Sequence, residues 1–388
     1  GSVINGNRIY FLGGINALEI GTNELFYLNV SSPFNSENLK WTDLTSNAPI
    51  PLRSAFSPSC VGGSNNSTIF LFEHRQANDL NSTNLVTFAF DLINQKWTVP
   101  SISGNTPPPR QNLMAVVDKN GKIYINGGFN PYAGYTNNDT YIFDSLKLSW
   151  VTGHNAPINR SAYTATLLSS GIIVYIGGVN DGGLPEIDMT NISLYNTNTG
   201  FWSIMNAISD TPIMGRRSHS AVLKKDGSII IYGGGAFNFT KVPTPLLASL
   251  DTSVTPYRWN SIKSSTNEYT PPPLTYHSAQ LVDKYMIVAF GASIINGNYN
   301  LTQATSNAIY ILDTSSYSWV PSFDLTNNND NNSTNNHISS KLIALIVGIT
   351  VGSIIIISLI IYYLYRKHHP HYIATPGTID SERPTQNL

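Results

Sequence analysis

The sequence predicts an all-β array of six repeated units, each a four-stranded antiparallel meander, followed by a single transmembrane helix. Three observations predict it. Six tryptophans, Trp41, Trp97, Trp150, Trp202, Trp259 and Trp319, recur at separations of 56, 53, 52, 57 and 60 residues. A glycine doublet keeps step with them at Gly13-Gly14, Gly127-Gly128, Gly177-Gly178, Gly233-Gly234 and, in degenerate form, Gly291-Ala292, with Glu73-His74 where the second doublet should stand. One charge-free run of 23 residues, Leu342 to Leu364, is long enough to cross a bilayer, since about 20 apolar residues span the hydrocarbon core as a helix.

Each doublet closes an apolar, β-branched or aromatic run, in order RIYFLGG, TIFLFEH, KIYINGG, IIVYIGG, IIIYGGG and MIVAFGA. Such runs read as buried strands. Asn5-Gly6, Asn120-Gly121 and Asp226-Gly227 mark tight hairpin turns just ahead of them. Arg110, Arg160, Arg216 and Leu274 each lie 17 residues before their doublet, and Arg53 lies 20 before Glu73. An acidic or amide residue stands six before the tryptophan in four units (Asp91, Asp144, Asn196, Asp313), eight before as Asp251 and twelve before as Asn29. A lone four-stranded sheet cannot bury both faces, so each unit must pack on its neighbours, and closing the ring gives every unit two partners.

This arrangement resembles the kelch repeat, whose period is near 50 residues, over residues 1 to 323. The resemblance implies a six-bladed β-propeller. In it the arginine, glycine and tryptophan positions are structural: the doublet allows close backbone approach near the ring centre, and tryptophan fills the wedge between blades. The first unit opens at SVINGNRIYFLGG, so its innermost strand is only an end, and the 17-residue spacing puts its arginine before residue 1. The expectation is an N-terminally incomplete sequence whose missing part carries a secretion signal and the rest of that strand; without it, blade one has an exposed inner edge.

Beyond the propeller, residues 324–341 are an Asn-rich stalk without apolar patterning, 342–364 the membrane span, and 365–388 a short polar tail. Tyr365, Arg366, Lys367, His368 and His369 follow the span while only Lys341 precedes it, which puts the tail in the cytoplasm and the propeller outside the cell or in a lumen. Gly348 and Gly352 form a small-xxx-small pair suited to a homodimer through the span. N-glycosylation sequons lie at Asn29, Asn65, Asn66, Asn81, Asn138, Asn159, Asn191, Asn238, Asn300, Asn331 and Asn332, all ahead of the span.

The balance of 22 Lys+Arg against 23 Asp+Glu leaves no field to hold nucleic acid. Charged residues make up only 12% of the chain and 43 asparagines contribute to its polar surface. One cysteine, Cys60, excludes an intrachain disulfide and any Cys-based metal cluster. No phosphate loop, zinc-protease helix or nucleophile elbow is present, and the sequence implies no cofactor and no metal site. The one enzymatic alternative rests on a second resemblance. Copper-radical oxidases of the galactose oxidase type use this propeller and carry a Tyr-His pair on an inner strand, as in Tyr276-His277. They also need a cysteine linked to a second tyrosine and a further histidine from an appended C-terminal domain; here Cys60 is the only thiol, the sequence names no tyrosine partner for it, and stalk and span follow Trp319. His277 and His219 fall at the inner-strand position shared with Phe56, Leu113 and Tyr163, and read as packed core residues.

What remains is binding. Loops after the doublets share one face with the connectors between blades and carry the variable chemistry: Phe129, Tyr132 and Tyr135, then Asp181, Glu186 and Asp188, then Phe237 and Phe239. Aromatics beside amides and carboxylates suit a protein or glycan ligand. The reading is a single-pass membrane protein presenting a propeller as an interaction module, with a structural surface glycoprotein lacking a discrete ligand as the further alternative.

Overall fold

In the computed structural model, described for residues 1–325 apart from 17, 19, 75–83, 182, 296–297 and 300–307, six four-stranded antiparallel sheets stand in a ring. The apolar runs read above form the second strand of each sheet, buried on both faces: Arg8–Leu12, Thr68–Glu73, Lys122–Asn126, Ile172–Ile176, Ile229–Tyr232 and Tyr285–Ala289. Blade four shows the register, with Thr164 opposite Ile176, Val174 opposite Leu194 and Leu194 opposite Ser203. The innermost strands are Ser2–Asn5, Ser59–Gly62, Ala115–Val117, Thr164–Leu167, Ser220–Leu223 and Ser278–Val282. Each touches the next, and the sixth touches the first, so the ring closes. At that last junction the Gln280 amide donates to Ser2 O at 3.0 Å.

The core is a set of layers between blades. Val174 and Ile176 of blade four pack with Ile229, Ile231 and Trp259 of blade five, each fully buried aliphatic contributing about 1.5–3 kcal/mol. Glycine and arginine positions hold the inner ends together. Arg110, Arg160 and Arg216 are fully buried and each donates from Nη1 to the carbonyl of its own first glycine, Gly127 at 2.9 Å, Gly177 at 2.7 Å and Gly233 at 3.2 Å. Arg110 also grips Asp139 with both Nη atoms, at 2.7 and 3.0 Å. Gly127 lies at φ +63°, where a Cβ would stand 2.4 Å from Arg160 O of the next blade. The doublet is therefore the point at which one blade's backbone admits its neighbour's.

Three landmarks differ from their sequence reading. The sixth doublet is Phe290-Gly291, not Gly291-Ala292: Phe290 and Gly291 take φ +62° and +86°, matching +63° and +87° at Gly127 and Gly128. Arg53 is exposed rather than a buried spoke, and buried Leu274 occupies the spoke position of blade six. Tryptophan fills the interblade wedge at Trp150, Trp259 and Trp319, is half-buried at Trp97 and Trp202, and is 37% exposed at Trp41.

Outside the ring, Ser322–Phe323 pairs antiparallel with Phe34–Asn35, bridging the end of blade six to blade one, with Phe323 stacked on Phe34 at 4.9 Å. Contacts group Gly1–Asn327 into one unit. Among the described residues no helix is long and apolar enough to cross a membrane. The predicted span 342–364, its Gly348 and Gly352, and the tail lie outside the described residues.

Candidate functional site

Strand direction alternates within each blade, so the loops after the second strands and the connectors between blades emerge on one face, around the mouth of the central channel. There, one residue in each of blades two to six sits just ahead of the inner strand in the left-handed region: Phe56, Asn112, Ala162, Ser218 and Tyr276, all with φ between +53° and +60°. Their backbones join into an arc, Asn112 N donating to Phe56 O at 2.9 Å, Ala162 N to Asn112 O at 2.6 Å, Ser218 N to Ala162 O at 2.8 Å and Tyr276 N to Ser218 O at 3.0 Å. The arc's ends meet through their side chains, with the Phe56 and Tyr276 rings 5.1 Å apart. Five left-handed residues other than glycine cost of order 1 kcal/mol each, offset by the interblade bonds they make.

Beneath and beside the arc opens a cavity of about 420 Å³, lined on one side by Phe11, Phe26 and Phe290 and on the other by Phe56, Met114 and Tyr276. Its floor is the next inner-strand position, Ser57, Leu113, Tyr163, His219 and His277, so the residue of blade two in that series is Ser57, and Phe56 belongs to the arc. These floor residues fasten blade to blade. Tyr163 donates to Asn126 O, His219 Nε2 lies 3.1 Å from Thr164 Oγ1, and His277 Nε2 lies 2.8 Å from Ser220 Oγ. Burial pushes His277 down to about 4 and His219 well below its ordinary range, so both rings are neutral at physiological pH.

A copper-radical centre does not fit this floor. Among the described residues no three His, Cys, Asp or Glu side chains are grouped to hold a metal ion. Cys60 is buried in the core between blades two and three, its thiol pushed up to about 12 by burial.

Of the eight loop residues singled out from the sequence, three aromatics on the loop face are about half exposed and none of them lines the cavity: Tyr132 at 49%, Tyr135 at 48% and Phe237 at 46%. Phe129 is half-buried, exchanging backbone bonds with Gln111 at 2.9 Å in both directions. Asp181 ties two loops together, accepting from Thr136 N at 2.6 Å and Asn159 Nδ2 at 2.5 Å. Asp188 caps its own turn through Thr190 N at 2.8 Å. Glu186 is buried against Arg217 at 2.8 Å and accepts from Phe237 N and Asn238 N at 3.1 and 3.3 Å. That carboxylate steadies a turn in which Phe237, Asn238 and Phe239 all have positive φ. Phe239 itself is buried, its ring 5.2 Å from Tyr276. Glu186 and Phe239 thus build the face from below while Phe237 presents it.

Among the sequons, Asn29, Asn65, Asn66 and Asn238 are exposed. Asn138 and Asn159 spend their side-chain amides on Ala156 O and Asp181, and the Asn191 Oδ1 is buried. Asn81, Asn300, Asn331 and Asn332 lie outside the described residues.

The sequence profile of the KLHDC2/KLHL20/DRC7 Kelch-repeats domain matches residues 1–234 and 164–339. The chain belongs to the kelch-repeat family. It is 32% identical over 251 residues to Kelch domain-containing protein 3 of Bos taurus, covering 60% of this chain and 62% of that protein. It is 28% identical over 224 residues to Host cell factor homolog hcf-1 of Caenorhabditis elegans, 52% of this chain and 28% of that protein. Similarity to Tip elongation aberrant protein 3 of Schizosaccharomyces pombe is 25% over 177 residues, 38% of this chain and 15% of that protein. The chain therefore spans somewhat under two thirds of the length of the mammalian relative. As a kelch propeller it is read as a protein-interaction fold.

Proposed function

We propose that this kelch propeller is a protein-interaction module that receives a segment of a partner protein at the channel mouth, and that the 342–364 run anchors it in a membrane with the propeller outside the cell or in a lumen. The observation that carries the binding reading is the mouth cavity of about 420 Å³, walled by Phe11, Phe26, Phe56, Phe290 and Tyr276, on the same loop face that exposes Tyr132, Tyr135 and Phe237. Aromatic walls suit a peptide side chain entering from above, and Asn16, Glu24, Asn112 and Ser218 in the same lining offer it polar partners. The anchoring reading is supported by the charge-free run and the basic residues after it.

The test is binding of the full-length chain to protein and glycan arrays, repeated with Tyr276→Ala and Phe56→Ala. A protein ligand whose binding falls at least tenfold in either variant, with unchanged circular dichroism, supports the reading. Glycan ligands alone, or a protein ligand indifferent to both variants, contradict it. For topology, protease added to intact cells or sealed vesicles removes the propeller epitope and spares a C-terminal tag; the reverse pattern refutes the orientation.

A further inference from the structure

The third strand of each blade ends in an acidic or amide residue: Asn29, Asp91, Asp144, Asn196, Asp251 and Asp313. That residue lies beside the start of the second strand. Asp91 stands opposite Thr68, Asp144 opposite Lys122 and Asp313 opposite Tyr285, and the neighbouring Lys284 Nζ is 3.3 Å from Asp313. In blade four the residue opposite Asn196 is the apolar Ile172. Blade one sets Arg8 against Asn29, so a cation faces an amide where other blades supply a carboxylate. The Arg8 guanidinium lies over the Tyr27 ring at 4.8 Å and reaches Tyr10 Oη at 3.4 Å. Among the described residues no carboxylate pairs with it.

Arg8 lines a pocket of about 380 Å³ at the hairpin end of blades one and two, together with Asn5, Asn7, Tyr10, Asn29, Ser31 and Leu92. Asn5 Nδ2 donates to Asn66 O of blade two at 2.6 Å, which leaves its Oδ1 as an acceptor. Asn29 Oδ1 accepts from Ser31 N at 2.9 Å, which leaves its Nδ2 as a donor. Among the described residues the lining carries one formal charge, that of Arg8, and otherwise amides, hydroxyls and a single leucine. None of these residues lines the channel-mouth cavity.

We propose that this pocket binds an acidic sugar bearing a single carboxylate, with the Arg8 guanidinium on the carboxylate and the asparagines and Ser31 on the ring hydroxyls. Charge and size both select that class. One guanidinium matches one carboxylate in a bidentate pair, whereas a phosphate monoester brings a charge of about −1.5 to −2 and the lining holds no second cation. The volume falls among small-ligand sites of about 300–1,000 Å³, more than a bare anion fills. An open amide donor at Asn29 and an open amide acceptor at Asn5 match hydroxyls, which both accept and donate. The site lies on the hairpin face and does not depend on the channel-mouth reading.

The test uses the natural full-length chain and five probes, glucuronate, N-acetylneuraminate, glucose, acetate and inorganic phosphate, titrated by saturation-transfer NMR. At least one of the two acidic sugars is expected to bind, with glucose, acetate and phosphate each about tenfold weaker or more. Asn29→Asp restores beside Arg8 the carboxylate that blades two, three and six carry at this place, so the fold accepts it, and it is expected to weaken acidic-sugar binding about tenfold or more by pairing with the guanidinium. Arg8→Gln is expected to weaken it by at least as much. Failure of both acidic sugars to bind, acetate or phosphate binding as tightly as they do, or undiminished binding by both variants overturns the proposal. So does a glycan already attached to Asn29 in the natural chain, since the pocket then belongs to the chain's own modification.

Discussion

Gly127→Ala tests how the blades are joined. The new Cβ would sit 2.4 Å from Arg160 O and 2.9 Å from Asn137 O, at a backbone of φ +63°. The left-handed conformation costs an alanine about 1 kcal/mol. The clash adds more, because Arg160 O is held in place by Gly128 N at 2.8 Å, and moving it weakens a buried interblade hydrogen bond worth about 1 kcal/mol and opens packing around a buried arginine. The expected loss is about 3–5 kcal/mol, within the range of severe core changes. Gly134→Ala is the internal control, since it shares a positive φ of +73° with nothing within 4 Å, and it should lose only about 1 kcal/mol. Urea unfolding with the slope held in common reads both. Equal losses at the two positions would refute the claim that the doublet is glycine because the next blade's carbonyl takes the space.

Other consequences follow from buried charge. Arg110→Leu should cost about 3 kcal/mol, and pairing it with Asp139→Leu should recover part of the loss, read as a coupling in a double-mutant cycle, because the bidentate pair is broken on one side only in the single variant. Glu73 is buried with its carboxyl raised from 4.5 to about 7, chiefly by desolvation. The fold favours its neutral form, so the native state loses about 3 kcal/mol of relative stability as pH rises from 4.5 to 7. Glu73→Gln should therefore gain on the wild type across that window in pH-dependent urea melts, and a constant difference would contradict the burial. His277 runs the other way: its depressed value makes the native state lose stability as pH falls from 6.5 to about 4, and His277→Asn should flatten that acid limb. Glu186→Ala leaves Arg217 buried without its carboxylate and unhooks Phe237 N and Asn238 N. About 3–5 kcal/mol should be lost, with faster proteolysis around Phe237.

The ring was legible because its parts repeat. Trp150 and Trp259 are buried in the wedge the spacing assigns them, and Arg110, Arg160 and Arg216 reach the glycines 17 residues on. Where a unit departs from the repeat, spacing misleads. Phe290 replaces a glycine and so shifts the sixth doublet by one, and Arg53 stands near the spoke position of blade two yet points to solvent. The exposed aromatics Tyr132, Tyr135 and Phe237 could be picked out by loop position alone. The arc at the channel mouth could not, because Phe56, Asn112, Ala162, Ser218 and Tyr276 share a backbone conformation and no side-chain property. Glu186 looked like a ligand carboxylate; only its tertiary partners, Arg217 and the Phe237 loop, reveal a buried support.

Site-specific photo-crosslinking of the full-length chain tests the central claim most directly, with a benzophenone side chain placed at Met114 or Phe237 on the loop face and at Ile93 or Leu146 on the hairpin face. All four positions are solvent-exposed. The account predicts one and the same partner protein captured from Met114 and Phe237 and absent from Ile93 and Leu146. Capture from the hairpin-face positions, with none at the channel mouth, would contradict it.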